Sequence, residues 1–526
     1  MRDFTKPGRS AVHAVDCAVA TSHPLASVAA MDVLGAGGNA VDAAIAAAAV
    51  LCVVEPAMTG IGGDAFALYM PAGAAEPLAI NGSGRAPAAA DPAWYRERGL
   101  DAIAQGSAHA VTVPGAVAAW CRLVEDHGTR SLAELLAPAI RYAEEGYPVA
   151  PRVAWDWGRE APRLAGDPWA SRHLLVDGAA PRVGTRHSQP ALGATLRRIA
   201  AQGRAGFYEG EVAADLVARL RELGGLHTEE DFAREAPDYV TPIRTGYRGF
   251  DVWECPPNGQ GVAALLILNL LSGFDPGTLD EADRVHLHAE ATKQAYHNRD
   301  LLVCDPECLP LPVETILSDR FADGLRRRIS MDRAGVPAPW DATEHRDTIC
   351  LSVVDRDGNA ISWIQSLFHA FGSGIAGPRS GVMLQSRGTS FRLLDDHPNL
   401  IGPRKRPMHT IIPGMLTRGG RAVMPFGVMG GHYQAAGHAA LVSALLDRGL
   451  DLQEAVDAPR SFAFGGELQL EAGIDAAIAA EMERRGHRIH RLDGPTGGAQ
   501  AIWIDRDAGL LTAASDPRKD GCALGR

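Results

Sequence analysis

Residues 345–366 carry the pattern that most restricts how this chain can fold. After His345, Arg346 and Asp347 comes Thr348, and from it runs Ile349-Cys350-Leu351-Ser352-Val353-Val354-Asp355. A Gly-bearing turn, Arg356-Asp357-Gly358-Asn359, follows, and Ala360-Ile361-Ser362-Trp363-Ile364-Gln365-Ser366 resumes the extended pattern. Two such runs around a tight turn predict an antiparallel hairpin. A hydroxyl residue opening a buried strand is well placed to act as a nucleophile, which makes Thr348 the first candidate for chemistry.

The 526 residues, 46% hydrophobic and 22% charged, can bury a large core. No Ser/Gly-rich linker or low-complexity block divides them. A net charge of −12, with no basic run or aromatic-interleaved Lys/Arg stripe, argues against a nucleic-acid partner. The opening Met1-Arg2-Asp3-Phe4-Thr5-Lys6-Pro7 lacks the apolar core of a signal peptide, so a cytoplasmic protein is expected. The most apolar segment, residues 40–54, contains Asp42 and falls short of the roughly 20 residues that span a bilayer, so a buried helix is expected there and no membrane partner. Only Cys304 and Cys308 cluster among the eight cysteines, without a second pair or histidines at zinc spacing.

Helical patterns cover residues 27–34 and 39–53, separated by Gly35-Ala36-Gly37-Gly38, and recur at 132–143 and 262–271. That glycine turn follows a helix, whereas a dinucleotide-binding loop follows a strand. His286, Glu290 and Lys293 share a helix and suggest either a metal or proton relay or a packed helix with a polar face. Beyond Thr348 the balance shifts to strands at 422–426, 468–471 and 501–505, with helices at 435–448 and 474–485. Periodicity alone supports mixed α and β.

Further motifs stand in a fixed order. They are Ala20-Thr21-Ser22-His23-Pro24, Gly37-Gly38-Asn39-Ala40-Val41-Asp42, Glu55-Pro56-Ala57-Met58-Thr59-Gly60-Ile61-Gly62-Gly63, Val113-Pro114-Gly115 and Pro256-Pro257-Asn258-Gly259-Gln260-Gly261. After Thr348 come Phe371-Gly372-Ser373-Gly374, Lys405-Arg406-Pro407-Met408-His409-Thr410, Pro425-Phe426-Gly427-Val428-Met429-Gly430-Gly431 and Asp516-Pro517-Arg518-Lys519-Asp520-Gly521. Each alone is a weak Gly/Pro signal. In this order they resemble the gamma-glutamyltransferase family of N-terminal-nucleophile hydrolases.

The resemblance implies a four-layer αββα sandwich, cut once between Asp347 and Thr348 into fragments 1–347 and 348–526 that stay together in one globule. A pair of such processed heterodimers is a further expectation. Threonine needs a base, and the new terminus supplies one in its own α-amine, with a reference pKa near 7.7–8.0. By family match, Gly430 and Gly431 offer backbone N–H groups to the oxyanion, and Ser366 is the second hydroxyl beside the nucleophile. Arg85 matches the arginine that grips a substrate carboxylate, and His409 and Thr410 take the places of two serines against the same group. No metal or organic cofactor enters this chemistry.

The ammonium side differs from glutamyl-directed relatives, because Phe368 and Ser390 stand where they place an asparagine and an acidic residue. Arg387 would repel an ammonium if it faces inward. Residues 392–404 are also shorter than the lid-bearing loop of glutathione-directed relatives. These departures resemble the branch with oxamate amidohydrolase and glutathione-hydrolase-like proenzymes. The expected substrate is therefore a small carboxylate-bearing amide, oxamate-like, cleaved with water or an amine as acceptor. Glutathione hydrolysis with γ-glutamyl transfer, cephalosporin side-chain acylation chemistry, and an uncleaved binding protein of the same fold are the alternatives.

Overall fold

The hairpin forms as the alternation predicts. In a computed structural model that describes Thr5 and residues 8–336 and 348–526, Ile349–Val354 pairs antiparallel with Ala360–Ser366, Ile349 opposite Gln365 and Val354 opposite Ala360. Both faces of the pair are covered, which is why the strands read as nearly continuous apolar runs. Ile349, Leu351, Val353, Ile361 and Trp363 enter one core, whereas Cys350, Val354, Ala360 and Ile364 enter another. The split by twos follows from the pleat.

The hairpin sits within a seven-stranded sheet ordered Cys522–Gly525, Ala18–Thr21, Ile349–Val354, Ala360–Ser366, Asp64–Met70, Leu78–Gly82, Asp238–Val240. A second seven-stranded sheet runs Val12–Ala14, Leu510–Ser515, Gly498–Asp505, Arg421–Met429, Gly414–Arg418, Phe250–Glu254, Ile243–Tyr247. The two face each other across Phe66, Leu68, Trp253, Cys350, Ile364, Met415, Met429 and Ile502. Gly427 permits their close approach, since a Cβ there would lie 3.0 Å from that of Cys350.

Helices close the outer faces. Ala40–Val54 is buried along its whole length, as its composition demands. Its one charged side chain, Asp42, closes a capping box with Asn39. The same carboxylate accepts the backbone N–H groups of Thr129 and Arg130 and the Thr129 hydroxyl at 2.6 Å. A buried carboxylate is tolerable when its lone pairs are taken up in this way. On the other side, Gly261–Leu271 and Tyr433–Leu446 share a core with Leu416, Phe426 and Val428.

The layers therefore run helix, sheet, sheet, helix, which is the αββα sandwich. Each central sheet draws strands from both sides of residue 347, so the regions 1–347 and 348–526 are interleaved. The helices expected at 435–448 and 474–485 are Tyr433–Leu446 and Ala476–Arg484. Among the described residues no helix is long and apolar enough to cross a membrane.

Candidate active site

Strand register assembles the centre of the site. Ile349 faces Gln365 across the hairpin, so the next pair outward is Thr348 with Ser366. Ser366 in turn stands opposite Asp64 on the following strand. All three share parity with residues that point between the sheets, namely Cys350, Ile364 and Phe66. The result is a row of three fully buried polar side chains at one end of an otherwise apolar interface.

Thr348 Oγ1 lies 3.4 Å from Ser366 Oγ and accepts a hydrogen bond from Gln434 Nε2 at 3.1 Å. Ser366 Oγ accepts the Phe368 N–H at 2.8 Å. Phe368 holds a φ of 82°, a left-handed conformation that is strained for a side chain of its size. That turn lays its ring under Arg387, whose guanidinium carbon is 3.9 Å from the ring centroid.

Arg387 is fully buried, and its Nη1 donates to Thr410 Oγ1 at 2.9 Å. Its Nε and Nη2 have no hydrogen-bond partner among the described residues. Burial pulls its pKa down to about 9, with the Asp64 carboxylate acting in the opposite sense. The guanidinium is thus a buried cation with unused donors next to the Thr410 hydroxyl.

Gly430 and Gly431 terminate Arg421–Met429 with φ values of 116° and 56°, a turn that favours glycine. A side chain on Gly430 would also meet Gly497 Cα at 3.0 Å. The turn feeds directly into Tyr433–Leu446, with the Gln434 N–H donating to Gly431 O at 3.1 Å. Gln260, from the Pro256–Gly261 motif, fastens this turn to the Thr410 segment through Gly431 O at 2.9 Å and Thr410 O at 2.7 Å.

Two of the expected substrate contacts, His409 and Arg85, are held by other partners. Both ring nitrogens of His409 are committed: Nε2 meets Asp64 Oδ2 at 3.0 Å, and Nδ1 accepts the Ile411 N–H at 3.3 Å. It therefore orients Asp64, which also accepts from Gly84 N–H and Gln385 Nε2, each at 2.9 Å. Arg85 is tied to Asp238 at 3.2 Å and to the Arg404 carbonyl at 3.3 Å, with Arg406 on the same carboxylate; among the described residues these bonds do not join the Thr348 group. Ser390 keeps a buried hydroxyl without a partner among the described residues, and Asp347 lies outside them. Sequence reasoning had missed Gln434 and Asp64.

The helical trio His286, Glu290 and Lys293 acquires a fourth member, His487. His286 Nδ1 is 2.8 Å from His487 Nε2, and His286 Nε2 meets the Ser330 carbonyl at 2.7 Å. Glu290 binds Lys293 Nζ at 2.7 Å and the Gly335 N–H at 3.0 Å. Three buried donor groups converge here within 4.8 Å, yet Lys293 already neutralises the carboxylate. The cluster is a hydrogen-bonded clamp on residues 330–335.

Burial fixes an acid response. Desolvation drives His409, His369 and His487 down to about 3, and His23, His187, His227 and His288 to about 4. A histidine with a depressed folded pKa binds its proton more readily when unfolded. Its stabilisation is complete above its ordinary pKa of 6.5 and drains away as pH falls toward the folded values. Glu55 and Glu235, raised by burial to about 7 and about 8, act in the opposite sense but are fewer. The urea midpoint is therefore expected to fall steeply from pH 6.5 to pH 4; an unchanged midpoint would contradict the buried neutral state of these rings.

A buried hydroxyl opening a central strand, between two sheets faced by helices, defines an N-terminal-nucleophile hydrolase. The gamma-glutamyltranspeptidase family model matches residues 26–526, and the chain belongs to that family. It is 36% identical over 518 residues to the glutathione hydrolase-like YwrD proenzyme of Bacillus subtilis (strain 168), covering 96% of this chain and 98% of that one. It is also 36% identical over 519 residues to the oxamate amidohydrolase proenzyme of Klebsiella pneumoniae, covering 96% and 97%. The crystal structure of cephalosporin acylase from Bacillus halodurans superposes with a TM-score of 0.94 at 40% identity, covering 100% of this chain and 99% of that one.

Proposed function

We propose that the chain is a self-cleaving amidohydrolase that cuts itself between Asp347 and Thr348 and then hydrolyses small amides bearing a carboxylate on the acyl side. In self-cleavage the Thr348 hydroxyl attacks the Asp347 carbonyl, an N-to-O acyl shift gives an ester, and water releases fragment 1–347. The freed α-amine then serves as base for its own hydroxyl, which attacks the substrate amide, expels an amine or ammonia, and leaves an acyl ester for water to resolve. Ser366 orients the hydroxyl. The N–H groups of Gly430 and Gly431, in a turn at the start of a helix, receive the oxyanion; one such donor is worth about 10²- to 10³-fold in rate.

The observation that carries the substrate class is Arg387, a buried guanidinium with two donor nitrogens that have no partner among the described residues and the Thr410 hydroxyl 2.9 Å away. A carboxylate satisfies both the charge and the donors, whereas an α-ammonium beside them is repelled. Arg85, occupied by Asp238, takes a secondary place at the rim. A cavity of about 540 Å³ lined by His369, Arg163 and Gly497 lies beside the glycine turn, Gly497 packing on Gly430.

Oxamate is one concrete candidate, and γ-glutamyl amides are the competing class. Purified enzyme given oxamate, longer dicarboxylic monoamides, γ-glutamyl anilide and glutathione is expected to prefer an amide without an α-ammonium, by at least about tenfold in kcat/KM, a difference of one good polar contact. Faster turnover of the two γ-glutamyl substrates would overturn the assignment.

A further inference from the structure

We propose that Gln434 is a catalytic residue whose amide N–H stabilises the negative charge growing on Thr348 Oγ1. The proposal rests on Thr348 being the nucleophile. Gln434 is fully buried and stands in the first turn of Tyr433–Leu446, directly after the Gly430-Gly431 turn. Its amide cannot be turned around without loss. Oε1 accepts the Ile412 N–H at 3.0 Å, so the NH₂ end is the one 3.1 Å from Thr348 Oγ1. A flipped amide would set donor against donor at Ile412 and leave that backbone group unsatisfied in a buried site.

The chemistry gives this donor work in both half-reactions. In acylation the hydroxyl proton passes to the α-amine, an Oγ1 lone pair bonds to the acyl carbon, the C–N bond breaks, and the departing amine takes the proton from the ammonium. In deacylation water gives a proton to the α-amine as its oxygen bonds to the acyl carbon, the ester C–O bond breaks, and Oγ1 leaves with the electron pair and regains the proton. Oγ1 carries its largest negative charge while bond making or breaking is incomplete. A fixed N–H already aimed at it strengthens as that charge grows, as oxyanion donors do. The same oxygen attacks Asp347 in self-cleavage, so one residue serves both reactions.

Two variants separate this role from support of the backbone. Gln434→Met removes the donor and the Ile412 acceptor together, whereas Gln434→Glu keeps an acceptor for Ile412 and puts a carboxyl against Thr348 Oγ1, a repelling charge when ionised and an O–H donor when protonated. Self-cleavage is followed by denaturing gel, and turnover is counted per chain carrying Thr348 as N-terminal residue. Both variants are expected to slow both reactions by about 10²-fold, with KM unchanged. Gln434→Met within threefold of wild type would overturn the proposal. So would a slow Gln434→Met beside a near-normal Gln434→Glu, because support of Ile412 would then be the whole effect. Should Gln434→Met fail to fold, the rate of Gln434→Glu relative to wild type is followed against pH: recovery as the carboxyl is protonated and donates again supports the proposal, and a ratio that does not change with pH overturns it. A wild type that neither cuts itself nor turns over amides would instead refute the nucleophile assignment.

Discussion

A Thr348→Ala chain is expected to remain a single uncut polypeptide with no measurable amide turnover, while the wild type resolves into fragments 1–347 and 348–526. The loss is the largest that any single substitution should cause, on the order of 10⁶-fold, because removing a nucleophile leaves only binding and oxyanion stabilisation. The fold should survive. Thr348 contacts Ser366 and Gln434, and its truncation leaves the Gln434 amide donor short of this partner, a cost of about 1–3 kcal/mol. The strand is otherwise held by Ile349, Leu351 and Val353 in one core and Cys350 and Val354 in the other. Thr348→Ser keeps the hydroxyl and should still cut. Denaturing electrophoresis with N-terminal sequencing reads both results. Full turnover by wild-type protein whose 347–348 bond is intact would end the proposal, since the α-amine would then be unavailable as base.

Legibility in the sequence follows the range of the interaction. The hairpin was readable because its two strands are neighbours in the chain and their alternation is local. The same register, carried one pair beyond Ile349 and Gln365, sets Thr348 opposite Ser366. Asp64 was not readable as part of the site. It reaches Ser366 through a strand pairing some three hundred residues apart in sequence, and its partners His409, Gln385 and Gly84 come from three other segments. Gln434 was hidden for a different reason: which polar residue of a helix's first turn faces the site depends on how the preceding glycine turn aims the helix.

Arg85 and His409 show the limit of matching residues one at a time. Each stands in the motif that predicted a substrate contact, and each is occupied by a neighbour the motif does not contain, Asp238 for the one and Asp64 for the other. Position in a sequence pattern selects a place in the fold. Whether the side chain is available there depends on charges brought in from elsewhere. Arg387 was noted in sequence as a cation that would repel an ammonium inside the site. The structure buries it, stacked on Phe368 and bonded to the Thr410 hydroxyl.

Arg387→Met should therefore separate charge recognition from the rest of catalysis. Methionine keeps a long unbranched side chain over the Phe368 ring but removes the donors and the charge. Losing a charged group that binds a buried carboxylate typically costs about 2–5 kcal/mol, so kcat/KM for carboxylate-bearing amides is expected to fall by about 30- to 5,000-fold. A neutral amide of the same length should change by less than about threefold, because its acyl group never engaged the guanidinium. Stability is expected to hold or rise, since an incompletely paired buried cation is replaced by an apolar group of similar reach. Arg387→Lys is a sharper control: it restores the charge but not the planar fork, and should recover only part of the loss. Rates are to be normalised to chains carrying a free Thr348 terminus, so that any effect on self-cleavage is kept apart. Equal losses on charged and neutral amides would mean that Arg387 shapes the site without reading the substrate, and the carboxylate would have to be sought at Arg85 instead.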